Sequence, residues 1–108
     1  MSKSRKRSRN GRAAVRIRWL RVAERNLDEI GEYIAADNPD AAARNITKIL
    51  AAIDLLPDHP AIGRAGRVAG TRELVVPDTP YLVAYRVRAN AVEILRILHG
   101  ARKWPDSV

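Results

Sequence analysis

The feature that most constrains this chain is a change of apolar period partway along it. Between Val22 and Leu56 apolar residues recur every three or four positions, and from Arg72 to His99 they alternate with a period near two. The first part therefore builds helices and the second strands. At 108 residues there is room for one core of two packed layers, so each part must bury its apolar face against the other.

The helical part divides in two. Ala23, Leu27, Ile30 and Ile34 form one stripe between about Val22 and Asp37, with Glu24, Asp28, Glu29 and Glu32 off it. Asn38-Pro39-Asp40 then reads as a restart: Asn38 can cap, Pro39 tolerates the first turn and Asp40 suits the positive end of the dipole. A second stripe of Ala42, Ile46, Ile49, Leu50, Ile53 and Leu56 runs to Pro57, which predicts an antiparallel helical hairpin with a very short joint. Pro57, Pro60, Gly63, Gly66 and Gly70 mark the following stretch as a loop.

Strands are predicted at Val15 to Leu20, Arg72 to Val76, Tyr81 to Arg88 and Ala91 to His99, with turns at Pro77 to Pro80 and at Ala89-Asn90. In the first strand Val15, Ile17 and Trp19 share one face and Arg16, Arg18 and Leu20 the other. The expected fold is α+β, in the order β-α-α-β-β-β, with the hairpin packed on a small antiparallel sheet.

Charge is unevenly spread. Of the 20 Lys and Arg, six (Lys3, Arg5, Lys6, Arg7, Arg9, Arg12) lie in the first 12 residues with no acid among them. The 14 that remain face 12 Asp and Glu, so the formal charge of +8 belongs mostly to that segment. Residues 1–14 are expected to form a disordered basic tail and residues 15–108 a single domain. The tail reads either as an arm with salt-sensitive affinity for a polyanion, or as a passive extension ahead of a natural start near Val15. It holds no aromatic residue for base stacking.

Cysteine is absent, which removes disulfides, thiolate nucleophiles and thiolate metal sites. No apolar run approaches the roughly 18 to 20 residues that cross a bilayer, and the chain is read as cytoplasmic, with no membrane partner. Phosphate-loop, HExxH and nucleophile-elbow motifs are missing, and with only His59 and His99 no metal or cofactor is expected.

His59 sits between prolines and reads as a loop residue. His99 is followed within five residues by Arg102, Lys103 and Trp104. That set could supply acid–base and electrostatic help to cleavage at a ribose 2′-hydroxyl, or His99 could cap the strand while Trp104 packs on the sheet. Arg72, Arg86, Arg88 and Arg96 fall on predicted strands, where they could bind phosphate, face solvent, or pair with an acidic partner.

In order, a strand, a helical hairpin, GTRELVV, YLVAYRV and VEILRILHGARKWP resemble the RelE/ParE superfamily of toxins from type II toxin–antitoxin systems, over about residues 15 to 105. The resemblance implies a toxin that inhibits growth, contributes to plasmid stabilisation, and forms a hetero-oligomeric complex with a cognate ParD/RelB-like antitoxin. Leu27, Ile34, Ile46, Ile53, Arg86 and Arg88 are the candidate antitoxin contacts, on the hairpin and the sheet.

RelE-like members cleave mRNA on the ribosome without metal, using strand-borne cations. Aligned on Tyr81 to Tyr85, two of those positions fall at Glu73 and Val75, and the arginine expected after Tyr81 is Leu82. Arg102 matches a catalytic cation, but Trp104 stands beyond it with no tyrosine. Metal-free phosphoryl transfer needs several cations at once. The sequence therefore resembles more closely the ParE branch, which poisons DNA gyrase by binding. Target-contact candidates are Arg72, Arg86, Arg96, His99, Arg102, Lys103 and Trp104; the ribonuclease alternative rests on His99 and Arg102.

Overall fold

The computed structural model describes residues 15–100. The expectations for the tail and for Arg102, Lys103 and Trp104 lie outside those residues. The elements are β1 (Arg16–Trp19), α1 (Arg21–Ala35), α2 (Pro39–Asp54), β2 (Arg64–Ala65), β3 (Arg72–Val75), β4 (Tyr81–Arg88) and β5 (Ala91–His99). They form an α+β fold: one five-stranded sheet in the order β1-β5-β4-β3-β2, with the helical hairpin on one face.

The joint between the helices works as its residues suggest. Asn38 Oδ1 accepts a hydrogen bond from the Ala41 N–H at 3.0 Å, and Pro39 opens α2 where no backbone donor is needed. α1 presents Ala23, fully buried, with Leu27, Ile30 and Ile34 partly buried against the core along the same stripe; α2 contributes Ile49, Ala52 and Ile53, followed by Leu56. The sheet answers with Tyr81, Val83 and Tyr85 from β4 and Val92, Ile94 and Ile97 from β5.

A β-bulge sustains that face. Ala84 pairs with Arg96 but Tyr85 pairs with Ile94, so Leu95 is the extra residue. Without that shift, alternation along β5 would carry Ile97 to the opposite face from Ile94. The β4–β5 turn places Ala89 and Asn90 at φ 50° and 64°, both left-handed, as a two-residue hairpin turn of matching twist requires.

Three expectations are corrected. β1 runs parallel to β5, with Ile17 opposite Val92 and Trp19 opposite Ile94, so the whole sheet is mixed and its antiparallel meander runs from β2 to β5. Alternation in a strand is the same whichever way its neighbour runs, so the pattern in VRIRWL carried no direction. The loop holds a strand, β2, paired antiparallel to β3. Leu50 is 39% exposed rather than in the core; Ala52 takes an inward position instead.

Candidate functional site

Arg72 and Tyr85 share one job at the sheet. The Tyr85 hydroxyl donates to the Pro60 carbonyl at 2.8 Å and accepts from the Gly63 N–H at 2.9 Å, and Arg72 Nη1 donates to the Gly63 carbonyl at 2.8 Å. Together they fasten the loop that precedes β3. Gly63 is required there, since a Cβ would lie 2.7 Å from the Tyr85 hydroxyl and 2.9 Å from the Glu73 carbonyl oxygen. Arg72, a predicted target contact, is therefore committed to the fold.

The face of the sheet away from the helices carries two buried carboxylates. Glu93, on β5, accepts from Arg86 Nε at 2.7 Å and faces Arg18 Nη1 at 3.5 Å, so it is flanked by cations from both neighbouring strands. The Arg86 hydrogen bond holds its carboxyl below the ordinary glutamate range against the opposing effect of burial, and the charges of Arg86, Arg18 and Arg88 add to the lowering. Glu73, on β3, is held by Arg64 from β2, with Nη2 at 3.1 Å and Nε at 3.2 Å. Arg86 is thus tied to an internal partner, whereas Arg88 at the strand end is exposed. Arg96 stands opposite Ala84 on this same face, and its Nε is buried without a hydrogen bond to any of the described residues.

Glu73, Val75 and Leu82, the positions that the resemblance aligned with catalytic cations, are a buried acid, a half-exposed valine and a buried leucine. His99 closes β5 with its ring edge-on to Tyr81, centroids 5.6 Å apart at 79°. It borders a cleft of about 600 Å³ with Asn26, Glu29, Ile30, Tyr33 and Tyr81. Asn26 Oδ1 reaches from α1 to accept the Ile97 N–H at 3.1 Å, which fixes the wall of that cleft. Among the described residues no cluster of His, Asp and Glu could hold a metal ion. No helix among them is long and apolar enough to cross a membrane. His59 is exposed in its loop.

On the hairpin's outer side a second cleft, of about 380 Å³, is lined by Leu27, Gly31, Ala35 and Ile46 with Asp28 and Glu32. Three of the predicted antitoxin contacts, Leu27, Ile34 and Ile46, remain partly exposed on the helices, but Ile53 is 2% exposed in the core and offers no surface. Sequence reasoning missed the pairing of Glu93 with Arg86 and Arg18 and that of Glu73 with Arg64. The available signal was a glutamate in the middle of AVEILRIL, which must be paired if that strand is central.

Residues 17–104 match the family model for the ParE toxin of the type II toxin–antitoxin system parDE. The chain is 52% identical over 91 residues to a Sinorhizobium fredii protein named toxin Y4kP, covering 84% of this chain and 94% of that one. It is 38% identical over 88 residues to Toxin RelE2 of Caulobacter vibrioides, covering 82% and 98% respectively. A solved structure described as the chromosomal ParDE TA system from P. aeruginosa superposes with a TM-score of 0.72 at 27% identity, over 80% of this chain and 96% of that one. The hairpin, the mixed sheet and these likenesses, which span most of the chain, agree: it belongs to the ParE toxin family of type II toxin–antitoxin systems.

Proposed function

We propose that this toxin arrests growth by binding DNA gyrase in the cytoplasm, without chemistry of its own, and that a cognate ParD-like antitoxin silences it in a hetero-oligomeric complex. The observation that carries this reading is Glu73. It is buried and bonded to Arg64 at a position where RNA cleavage would need a cation facing substrate. Val75 and Leu82 add two further losses of positive charge. The target contacts then fall to Arg96 and His99, together with Arg102, Lys103 and Trp104; Trp and Arg are favoured as interface anchors.

For the antitoxin, the cleft of Leu27, Gly31, Ala35 and Ile46 between the helices fits an apolar segment, and its acidic rim of Asp28 and Glu32 fits basic flanks. A solved relative described as a ParDE system supports a protein partner of this kind.

The test is what happens in arrested cells. Expression of the chain should give chromosomal double-strand breaks with mRNA left intact, and co-expression of the antitoxin should restore growth. The likeness to a protein named RelE2 keeps one competitor in view. Codon-phased mRNA cuts, abolished by His99→Ala or Arg102→Ala, would replace the binding mechanism with ribosome-dependent cleavage.

A further inference from the structure

The cleft beside His99 lies where β5 outruns its neighbour. β1 ends at Trp19, opposite Ile94, so the last residues of β5 form an edge of the sheet. α1 meets that edge through Asn26, which accepts the Ile97 N–H. The Ile97 carbonyl points the same way as its N–H, as in any antiparallel strand, and adds an acceptor to this wall. Along α1, Asn26, Glu29, Ile30 and Tyr33 follow at i, i+3, i+4 and i+7, which sets them on one helical face. Ile30 and Ile97 supply the apolar part of the lining, and Tyr81 and His99 close the far side with their rings edge-on.

Two of these residues do nothing for the fold. Tyr33 is 80% exposed, more than any other large hydrophobic residue described, and Glu29 is exposed and enters no ion pair among the described residues. They stand one helical turn apart, and helical side chains lean toward the N-terminus, so the Tyr33 ring and the Glu29 carboxylate face the same space. Although the chain carries a formal charge of +8, no lysine or arginine is among the described residues that line the cleft. Its one formally charged group is therefore an acid beside an open aromatic face.

We propose that this cleft receives an arginine side chain of the target protein, with its guanidinium stacked on Tyr33 and paired with Glu29. A guanidinium is flat, so it can lie on the ring while its N–H groups fork to the carboxylate; an ammonium makes only a point contact. The volume of about 600 Å³ falls within the range of ligand-binding clefts, roughly 300–1,000 Å³. That the arginine comes from the target rests on the reading of His99 as a target contact, since His99 forms the far wall. The choice of arginine rests on the cleft alone.

The test is a titration of N-acetylarginine amide into the full chain, freed of antitoxin, with the ring resonances of Tyr33 and His99 followed by NMR. Both should move with the arginine amide and stay in place with N-acetylcitrulline amide, which keeps the shape and lacks the charge. Tyr33→Phe should retain the response, whereas Tyr33→Leu and Glu29→Gln, at exposed positions where folding is not at stake, should each weaken binding about two- to fivefold. An equal response to citrulline amide, or undiminished binding by both weakened variants, would overturn the proposal whatever the toxin does to gyrase. In a supercoiling assay the same two variants should lose potency by a similar factor. Full potency despite lost arginine amide binding would overturn the assignment to the target. If the unaltered chain binds the amide and leaves gyrase untouched, the gyrase reading fails and the ligand class of the cleft is upheld.

Discussion

Glu93 shows how one side chain links the sheet's stability to pH. Its carboxyl titrates lower in the folded chain than in the unfolded one, chiefly because Arg86 hydrogen-bonds to it. The ion pairs therefore contribute fully above the ordinary glutamate range, and their contribution is lost as pH falls through the lowered value. Urea midpoints measured between about pH 5 and pH 3 should drop less steeply for Glu93→Gln than for the unaltered chain, with the variant less stable at neutral pH. Equal slopes would mean that Arg86 and Arg18 do not hold the carboxylate. Tyr85 is the second decisive residue, because its hydroxyl bonds both the Pro60 carbonyl and the Gly63 N–H and, with Arg72, joins that loop to the sheet. Tyr85→Phe leaves a buried N–H and a carbonyl without that partner and should cost about 1–3 kcal/mol, read from denaturant midpoints. The sequence marked Glu93 only as an acid inside an apolar strand, without naming its partners, and Tyr85 only as an apolar face residue. Both depend on a cross-strand or long-range neighbour that no local pattern encodes.

The helices were the most legible elements, because a period of three to four and an Asn-Pro-Asp restart are local signals, and the structure uses both as read. The departures come where tertiary contact decides. Leu50 continues the stripe of α2 in sequence but falls beside Trp19 and Leu27 at the rim of a surface cleft, while the smaller Ala52 meets the sheet. β2 is two residues long and exists only because β3 is beside it. Gly31 offers a clean test of the hairpin. A Cβ there would meet only Ile46, at an ordinary 3.6 Å, so helix propensity rather than packing should decide the outcome. Gly31→Ala should stabilise the chain by about 0.5–1 kcal/mol in thermal or denaturant unfolding. A loss of stability would show that α1 and α2 approach more closely than those contacts imply.

At the scale of the molecule, the α+β architecture and its family could be read from element order and the TRELVV, YRV and HGAR segments, whereas the parallel β1–β5 pairing emerged only from the strand register. The identities of Glu73, Val75 and Leu82, which the resemblance aligns with cations, needed no coordinates. What the structure adds is that Glu73 is paired within the sheet. If the antitoxin docks on the hairpin, deleting residues 1–12 should leave antitoxin affinity unchanged in calorimetric titration, since those residues contribute nothing to the helix stripes; a large loss would move the interface. The central claim is inhibition by binding, and a supercoiling assay with purified gyrase tests it most directly. The account predicts that toxin freed of its antitoxin blocks supercoiling and traps double-strand breaks, and that added antitoxin reverses both. Undiminished supercoiling in the presence of folded toxin that still arrests growth would contradict it.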